Sequence, residues 1–104
     1  MSMHPDIIKL THEMFPKIAE FIIQKEKESG KVGVPEPRIH EYFHRLSQEG
    51  NVEGLTFRYG TLERPWSTQL EYVITNNVRG CRLEDSGNSC IYLTRYGRTL
   101  MDKK

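Results

Sequence analysis

Apolar residues between positions 36 and 49 recur with the period of an α-helix. Four of them share the spacing i, i+3, i+4 and i+7: Ile39, Tyr42, Phe43 and Leu46. This spacing places their side chains on one helix face. Pro37 falls in the first turn, where a backbone amide has no intrahelical partner, and Gly50 marks the end. The pattern therefore predicts a helix over residues 36–49, with Tyr42 and Phe43 in the core.

Helical patterns also precede this central helix. Residues 5–15 form one, with the apolar set Ile7, Ile8, Leu10, Met14 and Phe15. A second runs from Lys17 to Glu28. Pro16 lies between them, and a proline inside a helix removes a backbone hydrogen bond and clashes with the preceding turn. We therefore predict two helices separated at Pro16, preceded by disorder at residues 1–4.

The segments around and after the central helix carry strand signals. In the connector 31–36, alternating valines predict a minor strand, and residues 52–59 predict a longer strand with a kink at Gly54. Residues 67–78 allow two interpretations. Ser67 and the apolar spacing after it suit a capped helix, whereas the run YVIT is typical of a strand. We predict a strand there, paired antiparallel with residues 52–59.

The last part of the chain predicts a β-hairpin followed by a short helix. Residues 82–84 and 90–94 bracket the segment DSGNS, whose glycine and asparagine suit the positive φ angles of a hairpin loop. A terminal helix is predicted over residues 94–101. The whole chain, 1–104, is therefore expected to be a single α+β domain, in which N-terminal helices precede an antiparallel β-sheet and a short C-terminal helix.

Composition and charge narrow the class of protein. Apolar residues make up 37% of the 104 positions, and no run approaches the roughly 20 that a membrane span needs. The N-terminus has no signal-peptide pattern either, so we expect a cytoplasmic protein without a membrane partner. In that compartment Cys81 and Cys90 are expected to be free thiols.

The net charge of +1 weakens the case for nucleic-acid binding, because dedicated binders usually carry a basic excess.

The run His40-Glu41-Tyr42-Phe43-His44 matches H-E-x-x-H, the motif of zinc peptidases. Histidines at i and i+4 share one helix face and can bind a single zinc ion, while the intervening glutamate can deprotonate a metal-bound water. No histidine follows His44, so a third ligand would have to be Glu63 or Glu71. The motif makes a minimal zinc metallopeptidase one alternative function.

The flanking residues count against this peptidase hypothesis. Arg38 and Arg45 lie close to the motif on either side. They mark its polar residues as the solvent-facing side of the helix: His40, Glu41 and His44. We therefore expect a protein that is not an enzyme and that uses no cofactor or metal.

Two segments resemble winged helix-turn-helix domains. In that family a helix ending in Leu-x-x-x-Gly precedes an apolar-rich strand, as residues 46–50 precede Val52 and Leu55 here. The run 91–98, IYLTRYGR, is similar to the signature Tyr-x-Leu-Thr-x-x-Gly-(Arg/Lys), in which the last wing strand turns into the final helix. The resemblance covers roughly residues 16–101 and implies a winged helix-like fold for the α+β chain.

The resemblance allows two alignments that share the same C-terminal signature. The first takes helix 36–49 as the recognition helix. The family's wing is a single short hairpin, whereas residues 51–90 lie between that helix and the closing strand here. The second alignment takes residues 67–78 as the recognition helix and residues 79–93 as the wing. We adopt the first as the prediction and keep the second as its alternative.

Functionally, the resemblance implies a transcriptional regulator that binds double-stranded DNA. The residues implied for the major groove lie on helix 36–49: Arg38, His40, Glu41, His44 and Arg45. Those implied for the backbone or minor groove lie in or beside the wing: Arg82, Asn88 and Arg95.

A non-catalytic protein-interaction module is the alternative from a different class, because winged helices also serve in protein contacts. In this hypothesis the N-terminal helix pairs with that of a second copy to form a homodimer. Its interface would be the apolar stripe of Ile7, Leu10, Met14 and Phe15. The same stripe could instead pack on the core of its own chain.

Overall fold

The computed structural model describes residues 5–59, 64–87 and 90–102. Within these ranges the chain forms four helices and five short strands. In chain order they are α1 (Pro5–Ser29), β1 (Val34–Pro35), α2 (Glu36–Gln48), β2 (Arg58–Tyr59), β3 (Pro65–Trp66), α3 (Thr68–Arg79), β4 (Leu83–Asp85), β5 (Cys90–Leu93) and α4 (Arg95–Asp102). The predicted α+β class is confirmed. The disorder predicted for residues 1–4 concerns a segment outside the described ranges.

α1 is one continuous helix, so the predicted break at Pro16 is wrong. A proline costs about 3 kcal/mol in a helix interior through its missing amide and its ring clash. Burial on either side offsets this cost. Phe15 and Ile18 are almost fully buried, and burying each such side chain contributes about 1.5–3 kcal/mol. Breaking the helix would disrupt the stripe that packs along α3.

The apolar stripe of α1 is covered by its own chain. Leu10, Met14 and Phe15 are each less than a tenth exposed, and Ile7 is partly buried against the same core. The expectation that these residues supply a homodimer interface is therefore wrong for the three buried ones. Ile8, on the outer side of the helix, is 49% exposed.

β1, β5 and β4 form a three-stranded antiparallel sheet in that order. Val34 lies opposite Ile91, and Leu83 lies opposite Leu93, and all four side chains are buried. The hairpin β4–β5 confirms the predicted hairpin, and β1 confirms a minor strand at Val34. The sheet therefore brings the connector after α1 next to the C-terminal strand.

Residues 68–79 form helix α3, so the strand predicted over 67–78 is wrong. Ser67 caps this helix, because its hydroxyl accepts a hydrogen bond from the Leu70 amide at 3.2 Å. Four side chains at helical spacing are buried: Leu70, Val73, Ile74 and Asn77. The strand propensity of YVIT is outweighed because the helix buries this stripe against α1.

The prediction of a strand over 52–59 is wrong for most of its length. Its expected partner, residues 67–78, is helical and offers no strand for pairing. Residues 52–57 are irregular. In the described part of this region, pairing is confined to Arg58–Tyr59, which runs antiparallel to Pro65–Trp66. We call this two-stranded unit, β2 and β3, the ribbon. The ribbon packs on α2 through β3.

α2 confirms the helix predicted over 36–49 and ends at Gln48. Ile39 and Phe43 are fully buried. Tyr42 is partly buried and stacks on Phe21 of α1, with ring centroids 4.3 Å apart. Gly50 follows the helix at φ +78°, a conformation that glycine adopts without strain and that commonly ends a helix.

The start of α4 gives the Leu-Thr-x-x-Gly run a structural role. Thr94 Oγ1 accepts a hydrogen bond from the Gly97 amide and donates one to the Arg82 carbonyl, both at 3.0 Å. Gly97 is buried, and a Cβ at this position would overlap the Arg82 carbonyl oxygen. The run thus caps α4 and holds it against the residue before β4. The terminal helix predicted over 94–101 is confirmed.

The core lies where α1, α2, α3 and the three-stranded sheet meet. Its largest fully buried apolar side chains are Phe43, Ile18, Ile22, Ile39, Leu70, Leu83 and Ile91. None of the helices described is both long and apolar enough to cross a bilayer.

Candidate functional site

His40 is fully buried, so the prediction that it faces solvent is wrong. Its ring stacks on the indole of Trp66, with centroids 3.7 Å apart. Nδ1 accepts a hydrogen bond from the Ser67 amide at 3.0 Å. In the neutral imidazole Nε2 therefore carries the proton and donates it to Glu36 Oε2 at 3.2 Å. The ribbon covers the side of α2 that helical spacing alone assigns to water.

His44, one turn further along α2, also contacts the ribbon. It is half-buried, and its Nε2 hydrogen-bonds to the Tyr59 hydroxyl at 3.0 Å. The rings of Phe57 and His44 lie nearly perpendicular to each other, with centroids 5.0 Å apart. Both histidines of the H-E-x-x-H run therefore dock the ribbon onto α2.

This docking role occupies the nitrogens that a zinc ion would need. Both ring nitrogens of His40 have hydrogen-bond partners, and Glu71 accepts a bond from Trp66 Nε1 at 3.3 Å. Glu63 lies outside the described residues. Across residues 5–59, 64–87 and 90–102, no three His, Cys, Asp or Glu side chains come together as a metal site.

The other polar residues of α2 are less enclosed. Arg38 is exposed and lies 3.9 Å from the half-buried carboxylate of Glu41. Arg45 is also exposed. Of the five α2 residues predicted to contact DNA, these two arginines and Glu41 remain open to a partner, whereas His40 does not.

The residues predicted for the wing are dispersed. Arg82 turns inward, where its Nε donates to Asn77 Oδ1 at 2.6 Å and its guanidinium lies over the Phe15 ring. Arg95 is exposed at the start of α4. Asn88 lies outside the described residues. The predicted arginines therefore do not form one continuous basic stripe.

The outer side of α3 belongs to the alternative alignment, which the sequence-based prediction did not adopt. Exposed side chains recur along it at helical spacing: Thr68, Glu71, Tyr72, Thr75 and Arg79. Tyr72 is 50% exposed, which is similar to Tyr96 on α4 and less than Tyr59 on the ribbon. The Ser67 cap and the apolar residues at helical spacing after it indicated this helix, but the strand-forming run YVIT was given more weight.

α3 is anchored at both ends and along its inner face. At its start, the Ser67 amide is bound by His40. Near its end, the buried Asn77 side chain donates to the Thr11 carbonyl of α1 at 3.3 Å and accepts from Arg82. These bonds hold the helix in one orientation, so its outer face is presented rigidly.

A small cleft adjoins the first turn of α3. It has a volume of about 160 Å³ and lies between the ribbon and the helix, lined in part by Arg58, Thr68 and Gln69. Gln69 Oε1 accepts a hydrogen bond from the Thr56 amide at 3.2 Å. The cleft thus brings the Arg58 side chain next to the N-terminal end of α3, where backbone amides carry partial positive charge.

In comparisons with known proteins, no protein-family model, no curated protein and no solved structure matches the chain.

Proposed function

We propose that this chain is a winged helix-like DNA-binding protein and that α3, rather than α2, is its recognition helix. The order of elements supports this assignment. α3 directly precedes the hairpin β4–β5, and β1 pairs with β5 at the edge of the same sheet. This order agrees with the alignment that takes residues 67–78 as the recognition helix and 79–93 as the wing.

The observation that carries the proposal is the uncovered outer face of a firmly anchored helix. Tyr72, Thr75 and Arg79 offer a phenol, a hydroxyl and a guanidinium along that face. Such groups hydrogen-bond to base edges in the major groove, where arginine most often contacts guanine. A helix inserted there places its exposed stripe against the bases.

Arginines at both ends of α3 supply contacts to the phosphates. Arg58 and Arg64 are exposed on or next to the ribbon, which adjoins the first turn. Arg95 is exposed beside Thr94, whose amide donates to the Arg82 carbonyl just beyond the last turn of α3. Phosphate contacts of this kind set the orientation of a protein on the duplex.

A protein partner for the same face is the second candidate, and charge favours it. The hairpin carries exposed carboxylates at Glu84 and Asp85, and α3 carries a further one at Glu71. Carboxylates next to a DNA backbone repel its phosphates, whereas a protein partner with basic residues would pair with them.

Gel-shift titration of random duplex DNA at several salt concentrations tests the proposal. The affinity of the wild-type protein should fall steeply as salt rises, because counterions are released on binding. Arg79→Ala should weaken binding to random duplex DNA severalfold, because it removes a cationic contact from the interface, and Tyr72→Ala should weaken it less. Arg38→Ala on α2 is the matched control and should bind like the wild type.

The outcomes separate the candidates. Loss of binding by Arg38→Ala with no effect of the α3 variants would assign DNA recognition to α2 instead. The absence of any shift at low salt would exclude DNA and leave the protein partner.

A further inference from the structure

A groove lies on the opposite side of α2 from the ribbon, between the end of α1 and the start of α2. It has a volume of about 490 Å³. Lys25, Lys31 and Arg38 line it, together with the apolar side chains of Val34 and Pro35. None of the residues of α3 lines this groove, so it is separate from the face proposed to bind DNA.

A second depression of about 280 Å³ continues the groove along the contact between α1 and α2. The two depressions share Lys25 and Glu28 in their linings, so they adjoin one another. The stacked rings of Phe21 and Tyr42 line the second part, and Arg45 lies at its side. We call the combined feature the α1–α2 trough.

Positive charge predominates in the α1–α2 trough. Its cationic side chains are Lys25, Lys31, Arg38 and Arg45, against the carboxylates of Glu20 and Glu28. Lys25 lies 3.6 Å from Glu28, and both are about half exposed, so this pair is weak. Lys31 and Arg45 form no ion pair with any residue in the described ranges. The trough therefore has cations available to a ligand.

The floor of the trough is held in place. Gly33 at its edge donates its amide to Glu26 Oε2 at 3.3 Å, and Glu26 in turn is bound by Arg98 of α4. The Phe21–Tyr42 stack joins α1 to α2 across the other part. A ligand would thus meet a preformed surface and would lose little free energy to reorganisation.

We propose that the α1–α2 trough binds an extended acidic peptide segment of a partner protein. Its carboxylates would pair with Lys31, Arg38 and Arg45, and an apolar side chain between them would lie on Tyr42 or Pro35. A nucleic-acid backbone fits less well, because the phosphates would also approach Glu20 and Glu28. A peptide can place an apolar or neutral residue beside those carboxylates.

This inference does not depend on DNA binding, because the trough and the outer face of α3 have no residue in common. A partner in the trough leaves α3 free. The chain could therefore join an acidic protein segment to the target of α3.

Fluorescence polarisation with a fluorescein-labelled glutamate-rich peptide that has one central phenylalanine tests the proposal. The wild-type protein should bind it saturably at low salt, and more weakly when the phenylalanine is replaced by glycine. Lys31→Glu and Arg38→Glu should each reduce the affinity for the peptide by about fivefold, because a weak attraction between the side chain and a peptide carboxylate becomes a repulsion. A lysine-rich peptide of the same length should not bind.

The matched control is Lys27→Glu, which changes the charge equally from an exposed position on α1 that does not line the trough. Equal weakening by this variant would overturn the proposal, because binding would then follow net charge alone. The proposal also fails if the wild type shows no saturable binding. All three positions are exposed, so the variants should fold.

Amide chemical-shift mapping on the unmodified protein gives a second, independent result. Shifts centred on residues 31–38 and on Tyr42 would support the trough. Shifts centred on α3 would overturn the proposal. Self-association of the chain without peptide, detected by sedimentation, would also overturn it, because the occupant of the trough would then be a second copy.

Discussion

The imidazole of His40 and the indole of Trp66 lie face to face, 3.7 Å between centroids and 10° from parallel. This contact joins the central helix to the ribbon. The same imidazole binds the amide of Ser67, the residue that caps α3. A histidine that looks like a zinc ligand in the sequence therefore sets the position at which the proposed recognition helix begins.

Replacing His40 by alanine should destabilise the protein by about 3 kcal/mol. The change creates a cavity beside Trp66 and leaves the buried Ser67 amide without its acceptor. Urea unfolding followed by the fluorescence of Trp66, the only tryptophan, measures the loss directly. His44→Ala is the control and should cost under about 1 kcal/mol, because its bond to Tyr59 is exposed. Equal losses for the two variants would contradict the anchoring role.

Gly97→Ala should destabilise the protein by about 2 kcal/mol or more, although alanine is the better helix former. The added methyl group would collide with the Arg82 carbonyl oxygen and lie 2.9 Å from a methyl group of Leu93. Thermal unfolding compares this variant with Thr99→Ala, an exposed change on the same helix that should stay within about 0.5 kcal/mol of the wild type. A stabilised Gly97→Ala protein would show that α4 is not held so closely.

Cys81 adopts a positive φ of 62°, which is costly for a residue with a side chain. Cys81→Gly should therefore be more stable than Cys81→Ala, by about 0.5–1 kcal/mol after the greater backbone entropy of unfolded glycine is counted. The side chain is exposed, so its removal is common to both variants and cancels in the comparison. Chemical denaturation of the pair gives the difference, and a more stable alanine variant would refute the strained backbone.

Glu26 links three elements, because its carboxylate accepts from Arg98 Nη2 of α4 at 2.9 Å and from the Gly33 amide before β1. Glu26→Gln should cost about 1–2 kcal/mol, since hydrogen bonds to a charged, largely buried group are lost or weakened. Glu28→Gln removes a charge from a pair that is about half exposed and should cost less than about 0.5 kcal/mol. Urea unfolding should show a larger loss of unfolding free energy for Glu26→Gln than for Glu28→Gln. Equal losses would rule out a structural role for Glu26.

The sequence predicted best where the information is local. The stripe of Ile39 and Phe43 together with Gly50 predicts α2 almost to its observed end, because helical spacing and a glycine stop act within a few residues. The hairpin β4–β5 follows from turn residues in the same way. The α+β class follows from these elements.

Predictions failed where distant contacts decide between local alternatives. Helix propensity favours a break at Pro16, but packing of α1 along α3 keeps the helix continuous. Residues 67–78 have the composition of a strand, but helical burial of Leu70 and Val73 against α1 outweighs it. The candidate site shifted with this segment, from the outer side of α2 to the outer side of α3.

By itself, the sequence determined which residues of α2 form an apolar stripe, where the hairpin turns and where the terminal helix begins, because these depend on neighbouring residues. It could not determine which polar face stays in water. Helical spacing places His40 on the solvent-facing side of α2, yet the ribbon, contributed by residues up to 26 positions further along the chain, covers it. Only the tertiary structure decides which helix face is covered, because this depends on where a segment distant in sequence packs most favourably.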